Sequence, residues 1–156
     1  MAWSNSKIFR ATVADVWDNT TALDLGADVP KVALYGTTPT PDQNVASAST
    51  AYNVAQWVNT SEISQAVQWP AGGVALATRV LDSATAGVVF YDAADTASGN
   101  AATLSAVFGC LVYDDTLTTP VADQGICYNY FGGTQSVTNG TFTVVWNANG
   151  IFRWTF

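Results

Sequence analysis

The last third of the chain, from Thr103 to Phe156, constrains the fold most strongly. It contains four short runs in which apolar and small or polar residues alternate, separated by turn-forming residues. The runs are Leu104 to Tyr113, Gly125 to Tyr130, Thr141 to Trp146 and Ile151 to Phe156. Their β-branched and aromatic residues favour a pleated, half-buried surface. This region therefore predicts an antiparallel sheet, and it contains no catalytic constellation.

Three further strands are predicted upstream, at Val29 to Tyr35, Val74 to Leu81 and Gly87 to Asp92. Before them, Ser6 to Trp17 predicts a helix, because its apolar residues recur at helical spacing and Ser4 or Ser6 is available as N-cap. The apolar residues of that helix are Ile8, Phe9, Val13, Val16 and Trp17. About seven strands after one helix are typical of a mainly β domain.

We therefore predict a single domain over residues 1–156, built as an antiparallel β-sandwich or open barrel with one short N-terminal helix. Residues 1–28 are expected to form the helix and a connector, and residues 29–156 the β-domain. A chain of 156 residues is long enough to bury a core without metals or disulfides.

The charge of the chain limits its partners. The net charge is −7 and the five basic residues are scattered, which argues against binding to nucleic acid or to anionic lipid. No run approaches the ~20 apolar residues of a membrane span, and the N-terminus does not resemble a secretory signal. We expect a soluble protein made in a cytoplasm. Charged residues form only 11% of the chain, which suggests that a partner covers part of the surface.

A polar stretch from Gly36 to Gln56 predicts a long surface loop with Pro39 and Pro41 close together. The segment from Trp57 to Trp69 is too short to predict more than one turn of helix. Pro39, Pro41, Trp57 and Trp69 are our predicted partner-contact residues, because they combine rigidity or aromatic surface with a loop setting.

The residues offer no catalytic, cofactor or metal site. Histidine is absent, which removes the usual general base and zinc ligand. Cys110 and Cys127 are predicted to be buried reduced thiols, although a hairpin would place them nearly opposite each other. The paired carboxylates Asp92 with Asp95 and Asp114 with Asp115 fit solvated turns, with calcium binding as the alternative. Gly72-Gly73 and Gly132-Gly133 are interpreted as turn glycines.

Six tryptophans, at positions 3, 17, 57, 69, 146 and 154, have two interpretations. Packing is favoured for Trp17 on the helix face and for Trp146 and Trp154 on strands. Stacking on sugar rings is the alternative, and Trp57 and Trp69 on the loop side would serve it. A carbohydrate-binding β-sandwich is therefore the second hypothesis for function.

The C-terminal motif resembles a group of small virion proteins of tailed bacteriophages. It consists of Asp123 to Tyr128 followed by Phe131 to Ile151. In such proteins a strand ending in an aromatic-Gly segment leads into Asn-Gly and Thr-Phe-Thr, a Trp-Asn or Trp-Asp pair and a final Gly-Ile strand. The similarity extends to Lys31 to Leu34 with Thr40 to Asp42, to Pro70 to Ala77, and to Phe90 to Asp95.

The resemblance implies a virion component without enzymatic activity, assembled in the host cytoplasm. Capsid decoration through the major capsid protein lattice is the first expectation, with other virion subunits and copies of itself as further partners. A tail-associated structural protein is the nearest alternative. No cofactor, nucleic acid or membrane is expected.

Overall fold

A long hairpin forms the centre of the largest sheet. In this computed structural model, which describes residues 3–156, strand β7 (Ala102–Tyr113) pairs with β8 (Gly125–Gly140). The remaining strands of this sheet are β1 (Lys7–Ile8), β2 (Lys31–Tyr35) and β3 (Val74–Ala75). The strand order is β1-β8-β7-β2-β3, and each pairing is antiparallel.

Two smaller sheets complete the β structure. One consists of β4 (Val80–Asp82), β5 (Val88–Asp92) and β10 (Phe152–Thr155), in the order β10-β5-β4. The other pairs β6 (Thr96–Ala97) with β9 (Thr143–Val144). A single α-helix, α1 (Arg10–Trp17), precedes β2 in the described chain. The predicted class, mainly β and sandwich-like with a short N-terminal helix, is confirmed.

The central sheet is covered on both faces where β2, β7 and β8 meet. Along β7, Cys110 and Val112 belong to one apolar cluster, whereas Leu111 and Tyr113 belong to another. Successive strand residues point to opposite faces, so the two clusters lie on opposite sides of the sheet. The second cluster is rich in aromatic residues, including Phe9 from the start of the helix.

Close backbone approach requires glycine at two positions of this layered core. At Gly73, where φ is +80°, an added Cβ would lie 2.1 Å from the carbonyl oxygen of Val32. At Gly125 it would lie 2.3 Å from the carbonyl oxygen of Thr50. Both distances are far inside van der Waals contact, so these glycines fix how closely the loops pack on the sheet.

The N-terminal helix is shorter than predicted. Residues 7–8 form β1 instead, because Ile8 pairs with Cys127 and Lys7 with Tyr128 in the central sheet. The predicted serine cap is wrong: Phe9 is the N-cap and makes no side-chain cap. The Ser6 hydroxyl instead accepts a hydrogen bond from the Tyr130 N–H at 3.0 Å. Pairing with a strand far along the chain has overridden the local helical spacing.

The single strand predicted from Val74 to Leu81 is also wrong, because this run forms two strands in different sheets. Residues 74–75 join the central sheet and 80–82 join the small sheet. Thr78, with φ at +50°, lies between them and breaks the extended backbone. The alternation gives no sign of the break, and beyond it both Val80 and Leu81 are exposed.

Two further boundaries of the hairpin region differ from expectation. Gly132 and Gly133, interpreted as turn residues, lie inside β8, which continues to Gly140. Their φ values of +78° and +155° occur where the β7 register is irregular, as in a bulge. The run from Thr141 to Trp146 contributes only the two-residue strand β9.

Candidate partner-contact surface

The two loop tryptophans predicted to contact a partner are buried. Trp57 and Trp69 each expose 0% of their surface, so their predicted exposed setting is wrong. Pro39 is also buried, and Pro41 is half-buried. A polar loop composition indicates where the backbone is irregular, but it does not report which large side chains fold back beneath it.

The Trp69 indole is anchored to the central sheet. Its Nε1–H donates to the Val32 carbonyl oxygen at 3.1 Å, and its ring meets Phe142 edge-on at 6.0 Å between centroids. The Trp69 backbone also forms an isolated antiparallel bridge with Gln65, which closes the intervening loop. Where a possible helical turn was predicted between Trp57 and Trp69, the structure has one 3-10 turn at Asn59–Ser61 and no helix through Ile63 and Val67.

Trp57 lies inside the aromatic cluster on the other face of the sheet. Its ring contacts Trp3, Phe9 and Tyr35 edge-on, with centroid distances of 5.8, 6.2 and 5.2 Å. The Tyr35 hydroxyl donates to the Trp57 carbonyl oxygen at 2.5 Å. Edge-on pairs of this kind add to the stabilisation from burial. Trp57 therefore holds the loop against its own domain.

A tyrosine and glutamate cluster holds the same loop further along. The Tyr52 hydroxyl donates to Glu62 Oε2 at 2.7 Å, and the Gly72 N–H donates to both Glu62 carboxylate oxygens at 3.1 Å. Tyr113 stacks on Tyr52 at 4.7 Å and donates its hydroxyl proton to the Gly72 carbonyl oxygen at 2.6 Å. Burial raises the pKa of Glu62, although these donors act in the opposite direction. Each polar group of the cluster named here has a hydrogen-bond partner within the domain.

Exposed apolar residues gather instead where the helix meets the small sheet. Trp17 is 80% exposed and Leu81 is 44% exposed, and both line a groove together with Val89 and Trp154. Val16, at 42% exposure, lines the same groove. We call these five residues the Trp17 surface. Trp17 does not pack in the core of its own domain, because the helix buries Thr12 and leaves its last turn outside; the packing interpretation then leaves an interface as the place for this side chain.

The Trp17 surface contains two adjoining grooves that share Trp17 and Trp154. One encloses about 490 Å³, and the other, of about 500 Å³, is also lined by Ile8 and Val13. Arg10, Asp18 and Asp24 are the charged residues that line them. An apolar floor with a sparse charged rim is the composition of many protein contact surfaces.

Strand alternation extends this surface toward the C-terminal residue. Phe156 lies two residues beyond Trp154, its N–H donates to the Gly87 carbonyl oxygen at 2.9 Å, and its side chain is 84% exposed. Residues two apart on a strand share a face, so Phe156 lies on the same side as Trp154. The sequence signal for this surface was the alternation of Trp154 and Phe156 with Arg153 and Thr155, which indicates an apolar face without saying whether it is covered.

The two cysteines are free and buried, as predicted. Cys110 pairs in register with Asn129, whereas Cys127 pairs with Val112. They are therefore diagonal neighbours and not directly opposite. Burial raises the pKa of Cys127 to about 12 and raises that of Cys110 as well, so both remain protonated and unreactive at neutral pH.

The aspartate pairs are not all solvated turns. Asp115 forms an ion pair with Lys31 at 2.5 Å, and Asp95 accepts a hydrogen bond from the Trp146 N–H at 2.9 Å. Asp114 is fully buried, and its Oδ1 accepts from the Thr116 N–H and hydroxyl. Burial raises the pKa of Asp114, and the nearby carboxylate of Asp28 raises it further. Within residues 3–156, no group of three or more potential ligands is placed to hold a metal ion.

Comparison with known proteins identifies no relative of this chain. No protein-family model, no curated protein and no solved structure matches this chain. In the described part of the chain, none of the helices has the length and apolar character needed to cross a bilayer.

Proposed function

We propose that this chain is a non-enzymatic structural protein of a bacteriophage virion, which decorates the capsid shell by binding the major capsid protein lattice. The sequence motif from Phe131 to Ile151 motivates the phage assignment. The observation that carries the structural role is the Trp17 surface, because a side chain as large as Trp17 left 80% exposed is stabilised when a partner covers it.

The composition supports the same role. Charged residues form only 11% of the chain, and interface cores are depleted of charge and enriched in aromatic residues. A small subunit repeated over a lattice needs only modest contacts, because many copies bound together multiply a weak individual affinity.

A cryo-EM reconstruction of particles whose genome encodes this chain tests the proposal. We expect the domain at many copies on the capsid shell, with the Trp17 surface against a neighbouring subunit. Density on the tail would replace the capsid assignment by the tail alternative. Particles that lack the chain altogether would refute a virion role.

A binding experiment isolates the contribution of the surface. Capsids that lack this chain are incubated with purified protein, and bound protein is quantified after sedimentation. Trp17→Ser should weaken binding by roughly tenfold or more, since exposed tryptophans are common binding hot spots. Val67→Ser is the control, because Val67 is 89% exposed and lies outside both grooves. Equal binding by the parent chain, Trp17→Ser and Val67→Ser would exclude the Trp17 surface as the contact.

The carbohydrate-binding alternative is favoured by one observation, the exposed indole of Trp17. Trp57 and Trp69 no longer serve it, because a fully buried ring has no face for a sugar. Saturable binding on a glycan array that is lost in Trp17→Ser would favour this alternative over capsid decoration.

A further inference from the structure

One exposed stripe of α1 carries opposite charges at its two ends. The groove of about 500 Å³ described above is lined on the helix side by Arg10, Val13, Ala14, Trp17 and Asp18. Their spacing is i, i+3, i+4, i+7 and i+8, which is one face of a helix. Val13 is half-buried and the other four are exposed. The stripe therefore runs from a cation through apolar side chains to an anion.

Both charges are placed unfavourably for the helix that carries them. Arg10 is the first residue of α1 and Asp18 is its C-cap, whereas the helix dipole favours an anion at the N-terminus and a cation at the C-terminus. In the part of the chain that the structure describes, neither residue takes part in an ion pair. The Arg10 guanidinium donates to the uncharged side chain of Asn44, to Oδ1 at 2.9 Å. The described fold therefore compensates neither charge.

The same order of charges compensates itself when two copies of the helix lie antiparallel. Each helix end then lies beside the opposite end of the other helix, so Arg10 meets a negative C-terminus and Asp18 meets a positive N-terminus. Arg10 and Asp18 lie about 12 Å apart along the axis, since the helix rises about 1.5 Å per residue. Ala14 is midway between them, and its small side chain allows two helices to approach closely.

We propose that α1 is a self-association site, at which two copies of this chain form a two-fold dimer with antiparallel helices and Ala14 at the axis. Arg10 of each copy then faces Asp18 of the other, and this self-complementarity is the condition for a two-fold contact. A partner of another kind would have to supply both charges at the matching spacing. The register places Trp17 of the second copy beside Ala11, so the contact covers the exposed indole.

The inference deepens the proposed function at the same surface. It rests on that function only for the setting on the capsid shell, and it names a second copy as the neighbouring subunit that covers Trp17. Loss of the dimer also weakens capsid binding by this route, because a dimer attaches to the lattice at two points and a monomer at one.

The contact is small, so the dimer should be weak. One eight-residue helix and one groove on each copy fall at the low end of interface sizes, below about 1,200 Å² in total. The net charge of −7 on each copy also opposes association. We expect a reversible dimer with a dissociation constant of roughly 1–100 µM.

Charge reversal on the purified full chain tests the register. Sedimentation equilibrium from about 1 µM to 1 mM spans the expected dissociation constant. Arg10→Asp and Asp18→Arg should each weaken dimerisation at least about tenfold, because like charges then face each other at both ends of the contact. An equimolar mixture of the two variants should recover dimerisation, since opposite charges face each other again at both ends of a mixed pair.

The chain offers a matched control for these variants. Arg153 is exposed and also donates to an asparagine, Asn149 Oδ1, at 2.6 Å, but it faces away from Trp154 on β10. Arg153→Asp changes the net charge as Arg10→Asp does and should leave dimerisation unchanged. Circular dichroism should show both helix variants folded, because each substitution places a charge that its helix end favours.

Three results would overturn the proposal. They are a parent chain that stays monomeric up to about 1 mM, a mixture of the two helix variants that dimerises no better than either alone, and an equal loss in Arg153→Asp. Capsid binding is measured separately. A monomeric parent that still binds capsids would refute the dimer and keep the proposed function, whereas dimers that leave capsids unbound would refute the proposed function and keep the dimer.

Discussion

The two halves of the β7–β8 hairpin belong to one continuous pair of strands but occupy different environments. In the near half, residues 109–113 and 125–128 are buried on both faces, whereas most β8 residues from 132 to 139 are exposed. The near half is flanked by β1 and β2, whereas β7 is the strand that pairs with the far half of β8 within residues 3–156. The two halves therefore differ in their part in the fold: the near half packs between the two apolar clusters, whereas the far half of β8 lies mostly at the surface.

Removing a large aromatic group beside the near half should give the largest loss of stability. We expect Trp57→Ala to lower the free energy of unfolding by about 3–5 kcal/mol, because it leaves a cavity among packed rings. Urea titration followed by circular dichroism measures the change. Trp17→Ala is the matched control and should alter stability by no more than about 0.5 kcal/mol, as for other exposed positions. Similar losses in both variants would contradict the assigned burial of Trp57.

Adding a methyl group to a glycine in each half should give the next largest difference in stability between the two halves. Gly125→Ala in the near half should cost about 3 kcal/mol, because its Cβ would meet the Thr50 carbonyl at 2.3 Å and overpack the core. Gly132→Ala in the far half has open space and only a φ of +78° to oppose it, which costs about 1 kcal/mol. Midpoints of urea unfolding for both variants test this order. A reversed order would show that backbone conformation, and not space, decides the cost.

The end of the near half is expected to respond to pH through Asp114. Its pKa is raised by burial and by Asp28, so the folded chain binds this proton more tightly than the unfolded chain. At a pH above the folded-state pKa the carboxyl is ionised in the folded chain, and this lowers the free energy of unfolding. The loss is recovered as the pH falls through the folded-state pKa toward 3.8, the ordinary pKa of an aspartate. Asp114→Asn should stabilise the chain at pH 7 by on the order of 1 kcal/mol.

The measurement for Asp114 is the difference in unfolding free energy between variant and parent across pH 4 to 8. The advantage of the variant should be largest at neutral pH and shrink on acidification. Asp18→Asn serves as the control, because Asp18 is exposed. An advantage that stays constant with pH would contradict a raised pKa for Asp114.

Strand positions were predicted well where the local pattern and the tertiary structure agree. The predicted runs at Leu104 to Tyr113 and Ile151 to Phe156 correspond closely to β7 and β10. Pairing partners distant in sequence decided the failures. Residues 7–8 extend because β8 lies beside them, and local helical spacing carries no information about a strand more than a hundred residues away.

The contact residues were predicted less well for a similar reason. Trp57 and Trp17 have the same side chain but the opposite outcome. The loop around Trp57 suggests exposure and the helix around Trp17 suggests packing, whereas Trp57 is buried and Trp17 is exposed. What distinguishes them is space: Trp57 meets four aromatic rings contributed by other segments, whereas Val16 and Trp17 in the last turn of α1 stay exposed. A single sequence indicates which side chains need burial but not which of them will find room.

The pairing of β1 with β8 has a consequence for synthesis on the ribosome. Ile8 pairs with Cys127, and the Thr12 hydroxyl donates to the Gly125 carbonyl oxygen at 2.6 Å. The first strand therefore has no partner until residues 125–128 have left the exit tunnel. Until then Phe9 lacks Tyr128, one of the rings against which it packs, and the nascent chain carries this aromatic cluster incomplete. A ribosome stalled before Gly125 would therefore hold a nascent chain in which Lys7 and Ile8 have no strand to pair with.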